Sequence, residues 1–515
     1  MGQRYPAMPG PSPAFSSADG PGPACQAADA DASNTPAPHD NPHGDPHGDP
    51  LDDPLDDRGR PGLPEPSPCA RHWLHHPQVV FLNHGSFGGC PSWVLETQNA
   101  WRARMEGEPV RFFVQDLFDL LDWARQDVAD FLGCDAQGLV FVPNATTGVA
   151  TALHALVGHL RTTGQARPGD QLLVTSHEYP ACLHNARAVA RAAGLELVTA
   201  HLPMPDPTPQ GVMDAVLSAV GPRTRVALLS QVTSASAMVL PIADLVAALE
   251  SRGVRVVVDG AHGPGHVPTS VASLGASFYA ANLHKWVCSP KGSAVLWVRP
   301  DHREHCRPLV LSNLAEAPPP GRPRLHSEFD YVGTADPTPW LCVPAALRVM
   351  AQIATGLPPR RYPAQAFDTR HDRPWLAWAW ATIRSSNRRL ALQARSMLSQ
   401  TLGTPPPVPD SMTGCIALVG LPKPPAGRQP GHGDDARQAG PYADALQQVL
   451  VERWSVQVPV VHPPTPLGAP LRYVRLSAQL YNSPAQYAYL ARVLPQALAD
   501  ESAGGGPTAQ PGGAS

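Results

Sequence analysis

An acid and a lysine, each at the end of an apolar stretch, are the residues of this chain best placed to do chemistry. VRVVVD ends in Asp259, and SFYAANLHKW, a second short predicted strand, carries Lys285. In open α/β sheets ligands bind outside the carboxyl ends of strands, so both side chains are expected at one pocket. A lysine amine can form a Schiff base and a carboxylate can hold a pyridinium nitrogen, the two contacts that pyridoxal phosphate needs.

Each of these residues also has an ordinary explanation when it is taken alone. An aspartate after a strand commonly caps the next helix, and a lysine in a polar turn commonly lies on the surface. The pairing of Asp259 with Lys285 is what makes the catalytic interpretation worth testing.

The segment NATTG, residues 144–148, is suited to binding a phosphate. It follows the apolar run LVFVP and opens an apolar helix, where free amides and the helix dipole favour an anion. Thr146 and Thr147 add hydroxyl groups. A plain N-cap explains the same residues, and both roles can coexist because a cap also presents amides.

The elements that must position these residues alternate along the chain. LVFV, QLLVTS, RVALLSQV and VRVVVDG are each followed by a helical segment, which predicts a mostly parallel sheet with helices on both faces, a three-layer α/β domain. CIALVGL, SVQVPVV and LRYVRLS predict a smaller C-terminal α/β domain. We therefore expect a disordered Pro/Gly/Asp-rich extension at 1–70, an N-terminal segment with the large domain at 71–340, a small domain at 341–502 and a disordered tail at 503–515.

Composition narrows the class of protein. The formal net charge of −4 gives no electrostatic reason to expect nucleic acid or an anionic membrane as a partner. The apolar runs fall short of the roughly 20 residues that span a bilayer, and prolines interrupt the N-terminus, so a cytoplasmic location is predicted. The HGDPHGDP repeat is expected to be solvated and to bind no metal, and the nine scattered cysteines are expected to be reduced.

Short sequence motifs along the chain resemble those of class V aminotransferases of the type I pyridoxal phosphate fold, in particular of the isopenicillin N epimerase-like branch. They are, in order, LNHGSFGGCPSWV, FVPNATTGVATALHAL, VTSHEYPACLHNA, SQVTSASAMVLP, DGAH, NLHKW, KGSAVLWVRP, YVGTADPTPWL and VRLSAQLYNSPAQY. This resemblance implies the type I fold, pyridoxal 5'-phosphate as cofactor and an amino-acid-type substrate.

The resemblance also implies cofactor-binding roles for single residues. Lys285 would carry the cofactor and Asp259 would bind the ring nitrogen. Tyr179 would stack on the ring, where the desulfurase branch has histidine, and His262 would contact the phenolic oxygen. Further residues implied at the phosphate are Asn282, His284 and, from the partner subunit of a homodimer with shared active sites, Thr334 after Gly333.

Substrate contacts follow from the same resemblance. Arg475, in VRLSAQLYN, matches the arginine that binds the substrate carboxylate, with Arg472 as a less favoured substitute. Asn83 and His84, in NHGSFG, would fold back toward the site and contact the substrate. Ser234 matches a position at the cofactor edge.

The reaction stays open at this level. An epimerase or aminotransferase moves a proton at Cα, whereas a C–S lyase expels a sulfur substituent. An inactive binding or regulatory protein is a further alternative. The presence of Lys285, Asp259 and Arg475 together speaks against it, because catalysis needs all three. Persulfide chemistry is not expected, because PVVHPPTPLGAP lacks the nucleophilic cysteine of cysteine desulfurases and Cys415 lies in an apolar run.

Overall fold

The structure is a computed structural model and describes residues 62–422, 444–465 and 471–502. The HGDPHGDP repeat and the C-terminal tail lie outside the described residues. The strands are β1 Val80–Phe81, β2 Leu139–Val142, β3 Gln171–Thr175, β4 Glu196–Ala200, β5 Thr224–Ser230, β6 Arg255–Asp259, β7 Phe278–Asn282, β8 Ala294–Val298, β9 Ile416–Gly420, β10 Val456–Gln457, β11 Val460–Val461 and β12 Tyr473–Ser477.

The helices lie between the strands and after them. They are α1 His84–Phe87, α2 Ser92–Gly107, α3 Pro109–Arg111, α4 Leu117–Leu132, α5 Ala145–Thr162, α6 Pro180–Ala193, α7 Pro209–Ser218, α8 Ile242–Glu250, α9 Val271–Leu274, α10 Arg324–Asp330, α11 Thr338–Leu341, α12 Val343–Ala354, α13 Arg373–Leu402, α14 Ala445–Trp454 and α15 Pro484–Ser502.

A mostly parallel sheet forms the centre of the large domain, as predicted. Within the described residues it has the order β2-β8-β7-β6-β5-β3-β4. Strands β4, β3, β5, β6 and β7 run parallel to one another, whereas β8 is antiparallel to both β7 and β2. Because β6 and β7 are adjacent and parallel, their carboxyl ends open at the same edge of the sheet.

Helices cover both faces of this sheet, because successive side chains of a buried strand point to opposite sides. On β6, Val257 packs in one core with residues of α5 and α6. Val256 and Val258 pack in the other core, with residues of α4, α8 and α12. The three-layer α/β architecture is therefore confirmed.

The C-terminal part forms a smaller α/β unit with its own core. Strands β11, β12 and β9 make an antiparallel sheet, against which α13, α14 and α15 pack. The run SVQVPVV is not one strand: β11 joins this sheet, while β10 pairs in parallel with β1. The N-terminal segment expected at the start of 71–340 therefore packs, through β1, with the small unit.

The folded part of the chain begins before residue 71. Residues Pro68–His72 form a 3-10 helix with Cys69 buried, and the Ser67 amide donates to the Tyr481 carbonyl at 3.1 Å. Within the described ranges, no helix has the length and apolarity needed to cross a membrane. The same ranges contain no cluster of metal-ligating side chains.

Candidate active site

Asp259 is the last residue of β6 and is buried beneath the pocket, 3% exposed. Its Oδ1 accepts a hydrogen bond from the Ala261 amide at 2.9 Å, and its Oδ2 accepts one from the Cys182 thiol at 3.2 Å. Burial raises the pKa of this carboxyl, against the lowering effect of these hydrogen bonds and of Lys285. A cation placed against Asp259 would supply the charge that its neutral hydrogen-bond partners do not.

Lys285 follows β7 and lies in the same pocket as Asp259. Its Nζ is 3.0 Å from Nε2 of His262. Burial and the positive charge of Arg475 lower the pKa of the amine to about 8, although Asp259 acts in the opposite direction. About a tenth of Lys285 is therefore neutral at pH 7, far more than for an ordinary lysine. The neutral amine is the form that can attack an aldehyde or accept a proton.

The N-terminus of α5 also lines the pocket. Asn144 caps this helix, since its Oδ1 accepts from the Thr147 amide at 2.8 Å and from the Thr147 hydroxyl at 3.1 Å. The hydroxyl of Thr147 is thus used within the cap, and only Thr146 of the two predicted threonines lines the pocket. The N-terminal amides of a helix favour an anion, so this end suits a phosphate.

Asn282 and His284 hold the neighbouring backbone in place. The Oδ1 of Asn282 accepts from the Ala145 amide at 2.8 Å, which ties β7 to the start of α5. Nδ1 of His284 lies 3.1 Å from the Ser293 carbonyl oxygen. Both residues line the pocket, and burial, together with the charge of Lys285, lowers the pKa of His284 to about 4.

Arg475, on β12 of the small unit, reaches the rim of this pocket. Its guanidinium donates to the Ser234 carbonyl at 2.7 Å and to the Ser86 hydroxyl at 2.7 Å, and Ser86 and Ser234 both line the pocket. Arg472 is excluded as a substitute, because its guanidinium pairs with Asp444 and Glu501. The pocket therefore has one arginine from the small unit at its rim.

Asn83 and His84 are not among the residues that line this pocket, and their contact with substrate stays a prediction. His84 is fully buried, with Nδ1 2.8 Å from the Tyr481 hydroxyl and Nε2 3.1 Å from the Lys285 carbonyl oxygen. Asn83 accepts from Ser86 at 2.6 Å and from Arg475 at 3.4 Å. Both residues therefore form hydrogen bonds with residues at or next to the pocket.

Tyr179 and Thr334 differ in where they lie. Tyr179 lines the pocket and is 45% exposed, as a side chain above a ligand would be. Thr334 is exposed, away from this pocket, and its hydroxyl lies 2.8 Å from that of Tyr331. A single chain therefore does not bring Thr334 to its own Lys285.

The donor set of the pocket fits pyridoxal phosphate. The cavity has a volume of about 180 Å³ and contains an amine, a buried carboxyl and a helix N-terminus. These three groups match the aldehyde, the ring nitrogen and the phosphate of that cofactor. His262 adds an imidazole, 3% exposed, beside the amine.

Sequence reasoning missed two residues that contact this machinery. Cys182, in the first turn of α6, donates to Asp259, and nothing in the local sequence indicates that contact. Trp286 donates from its indole to Nδ1 of His262 at 3.3 Å. Its position directly after Lys285 is the one available signal.

The chain matches the family model described as Aminotransferase class-V over residues 91–316. It is 30% identical over 432 residues to isopenicillin N epimerase of Streptomyces clavuligerus, covering 82% of this chain and 95% of that protein. It is 28% identical over 430 residues to a probable chloroplastic L-cysteine desulfhydrase of Arabidopsis thaliana, covering 80% and 82%.

A solved cysteine desulfurase from Thermococcus onnurineus is similar in structure. The TM-score is 0.62 at 16% sequence identity, and the match covers 85% of this chain and 99% of that one. At this identity the likeness concerns the fold alone, and it confirms the predicted type I architecture.

Proposed function

Because the chain belongs to the class V aminotransferase family, we propose that it is a pyridoxal phosphate-dependent enzyme that moves a proton at Cα of an amino-acid-type substrate. An epimerase of the isopenicillin N epimerase type is the favoured form, and an aminotransferase shares its first step. The observation that carries the proposal is the position of the Lys285 amine, in one buried pocket with Asp259 and with Arg475 at the rim.

Lys285 and Asp259 are proposed as the catalytic residues, since they are the groups suited to the reactive end and the ring nitrogen of the cofactor. Bound pyridoxal phosphate supplies an electron sink for a bond broken at Cα. The α5 N-terminus with Thr146 is proposed to bind the phosphate, with Asn282 and His284 bracing that end.

Three side chains are proposed to bind the substrate, transfer the proton and cover the cofactor. Arg475 is proposed to bind the substrate carboxylate through its fork, which fixes the direction of the bonds at Cα. Nζ of Lys285 is proposed to accept and return the proton, for which a pKa of about 8 is well matched. Tyr179 is proposed to cover the cofactor on the open side of the pocket.

A C–S lyase is the second candidate function. It is favoured by the similarity to the L-cysteine desulfhydrase, which is close in degree to that of the epimerase. Both reactions begin with loss of the same proton, so they use Lys285 and Arg475 alike. They differ in whether the substrate carries a sulfur substituent that can leave.

A homodimer with shared active sites is proposed from the exposed loop that carries Gly333 and Thr334. If Thr334 completes the partner's phosphate site, mixing Lys285→Ala with Thr334→Ala subunits should restore part of the activity in hybrid dimers. Subunit exchange must be shown separately with labelled chains. No recovery despite exchange would count against the shared site. A cytoplasmic location stays a prediction from sequence.

The proposed function is tested by incubating the protein with a panel of amino acids in deuterated water. Deuterium at Cα with inverted configuration indicates epimerisation, and a keto acid indicates transamination. Pyruvate with released sulfide from cysteine indicates C–S lysis. The Lys285→Ala variant is the control and should give none of these. A wild-type protein that binds no pyridoxal phosphate would refute the proposal.

A further inference from the structure

Trp286 has a specific contact with the imidazole that faces the catalytic lysine. Its side chain is buried, 1% exposed, and its indole N–H donates to Nδ1 of His262 at 3.3 Å. The other ring nitrogen of His262, Nε2, lies 3.0 Å from Nζ of Lys285. Both nitrogens of one imidazole are therefore occupied, each by a different neighbour.

The indole determines which nitrogen of His262 carries hydrogen. An indole N–H can only donate, so Nδ1 must accept and must be without hydrogen. A neutral imidazole then carries its hydrogen on Nε2, and that N–H points at Nζ of Lys285. An ammonium group has no lone pair to accept this hydrogen, so the contact is satisfied by the neutral amine.

The surroundings hold His262 and Trp286 in this arrangement. Burial and the nearby positive charges lower the pKa of His262 well below its ordinary value, which disfavours the doubly protonated ring. The Trp286 ring stacks on His266, with centroids 4.5 Å apart. Nδ1 of His266 lies 2.9 Å from the His262 carbonyl oxygen, and Nε2 of His266 accepts from the Cys415 amide at 2.6 Å.

We propose that Trp286 is a positioning residue that fixes His262 as a hydrogen-bond donor toward Nζ of Lys285 and toward any acceptor of the cofactor beside it. This inference rests on the proposed function, because it assigns meaning to the donor through Lys285. What it predicts directly is that Nε2 of His262 carries the hydrogen. That prediction holds even if the proposed reaction does not take place.

The charged and titratable groups around Lys285 come from several elements. They are Asp259 on β6, Cys182 on α6, Arg475 on β12, His84 on α1, His262 and His266 in the loop after β6, and His284 beside the lysine. Only His262 is within hydrogen-bond distance of Nζ in the described part of the chain. A change confined to the His262 tautomer should therefore be felt mainly at the Lys285 nitrogen.

The first test is Trp286→Phe in the full chain loaded with pyridoxal phosphate. Phenylalanine keeps an aromatic ring for packing but frees Nδ1, so His262 can exchange its hydrogen and turn a lone pair toward Lys285. The Lys285 nitrogen then holds its proton more tightly. The midpoint of the pH-dependent change in visible absorbance should rise by about one pH unit, a tenfold change in the proton equilibrium.

A matched control separates this effect from the loss of a buried indole. Trp380 is also 1% exposed, and its indole donates to the Leu347 carbonyl at 3.2 Å rather than to His262. Trp380→Phe should leave the absorbance midpoint unchanged. An unchanged midpoint in folded, loaded Trp286→Phe, or an equal shift in Trp380→Phe, would overturn the inference.

His262→Gln provides a second, independent arm. A glutamine amide carries its own N–H groups and needs no indole to select a tautomer. In a His262→Gln background, Trp286→Phe should therefore produce little further shift, so the two substitutions are strongly non-additive. Additive shifts would show that Trp286 acts by another route and would contradict the proposal.

Nitrogen NMR of histidine-labelled full-length wild-type protein tests the tautomer without any variant of Trp286. The signals missing from His262→Gln identify residue 262, and they should show Nε2 protonated and Nδ1 unprotonated. Hydrogen on Nδ1 would overturn the inference. Failure to bind pyridoxal phosphate would sink the proposed function but leave this nitrogen assignment standing, so the two failures can be told apart.

Discussion

Two buried groups of charged residues in the large domain differ in how their charges are paired. One surrounds Lys285. The other, here called the arginine–aspartate cluster, links α4 to α10 and consists of Asp122, Arg125, Arg322 and Asp330. Arg125, Arg322 and Asp330 are largely removed from water, whereas Asp122 is about half exposed. Only the site around Lys285 is suited to proton transfer.

In the arginine–aspartate cluster each charge has direct opposite partners. Asp330 pairs with both Arg125 and Arg322, and Arg322 also donates to Asp122 at 2.8 and 2.9 Å. Burial raises the pKa of Asp122, but the hydrogen bonds from Arg322 and the charge of Arg125 outweigh it and lower the pKa overall. These ion pairs fasten α10, which leads into the Thr334 loop.

Around Lys285, by contrast, the charged groups are not joined in ion pairs. No carboxylate is within ion-pair distance of Nζ among the described residues, and His262 is its hydrogen-bond neighbour. Burial therefore moves the pKa of Lys285 down and that of Asp259 up, toward the neutral forms. The paired residues serve structure, whereas the unpaired Lys285 amine, with a pKa of about 8, can exchange protons near neutral pH.

The largest expected effect comes from removing the charge of Asp259. Asp259→Asn keeps the shape but cannot neutralise a protonated ring nitrogen, so kcat/KM should fall about a thousandfold. Steady-state kinetics with protein of measured cofactor content checks this. A variant that keeps more than a tenth of wild-type activity would remove the role proposed for Asp259.

Breaking the arginine–aspartate cluster should reduce stability instead. Asp330→Asn leaves Arg125 and Arg322 buried with one negative charge fewer, so the free energy of unfolding in urea should fall by about 3 kcal/mol. Asp336→Asn is the control, because the Asp336–Arg102 pair is partly exposed and should contribute less than about 1 kcal/mol. Equal losses of unfolding free energy in the two variants would contradict a special stabilising role for the buried cluster.

Arg475→Lys should affect substrate binding more than the chemical step. A lysine keeps the charge but loses the two-pronged fork, so KM for the amino acid should rise about tenfold, with little change in cofactor absorbance. Arg472→Lys is the matched control, since Arg472 directly precedes β12 and pairs with Asp444 and Glu501. A raised KM in both variants would indicate a general effect on β12.

The last prediction concerns how the rate of cofactor binding by Lys285 depends on pH. The pKa of Lys285 is lowered to about 8, so the neutral amine predominates above that pH and is lost as the pH falls below it. The rate at which cofactor-free protein captures pyridoxal phosphate should therefore fall about tenfold per pH unit below 8 and level off above it. Rapid-mixing absorbance measures this rate. A profile still rising above pH 10 would show that Lys285 has an ordinary pKa.

The large domain was predictable because its strands are continuous apolar runs. The positions of β2 and β6 follow from LVFV and VRVVVD, and a helix was expected from Thr146, where α5 begins at Ala145 with Asn144 as its cap. The small unit was harder to predict. The run SVQVPVV divides between two sheets because β1, far away in sequence, pairs with its first half.

The candidate site was also predictable only in part. Thr147 and His84 looked suited to ligands, yet their polar atoms are used by Asn144, Tyr481 and the Lys285 backbone. Local sequence cannot show that a polar group already has a protein partner, because those partners come from distant segments.

The sequence by itself determined the residue types: an aspartate ending one buried strand, a lysine after the next, and a capped helix N-terminus between apolar elements. Only the tertiary structure decided which histidine faces the lysine. Parallel pairing of β6 and β7 brings His262 to within 3.0 Å of a residue 23 positions away. Trp286 and Cys182 then join from the lysine loop and from α6. Such contacts depend on strand order and helix placement, which no local pattern encodes.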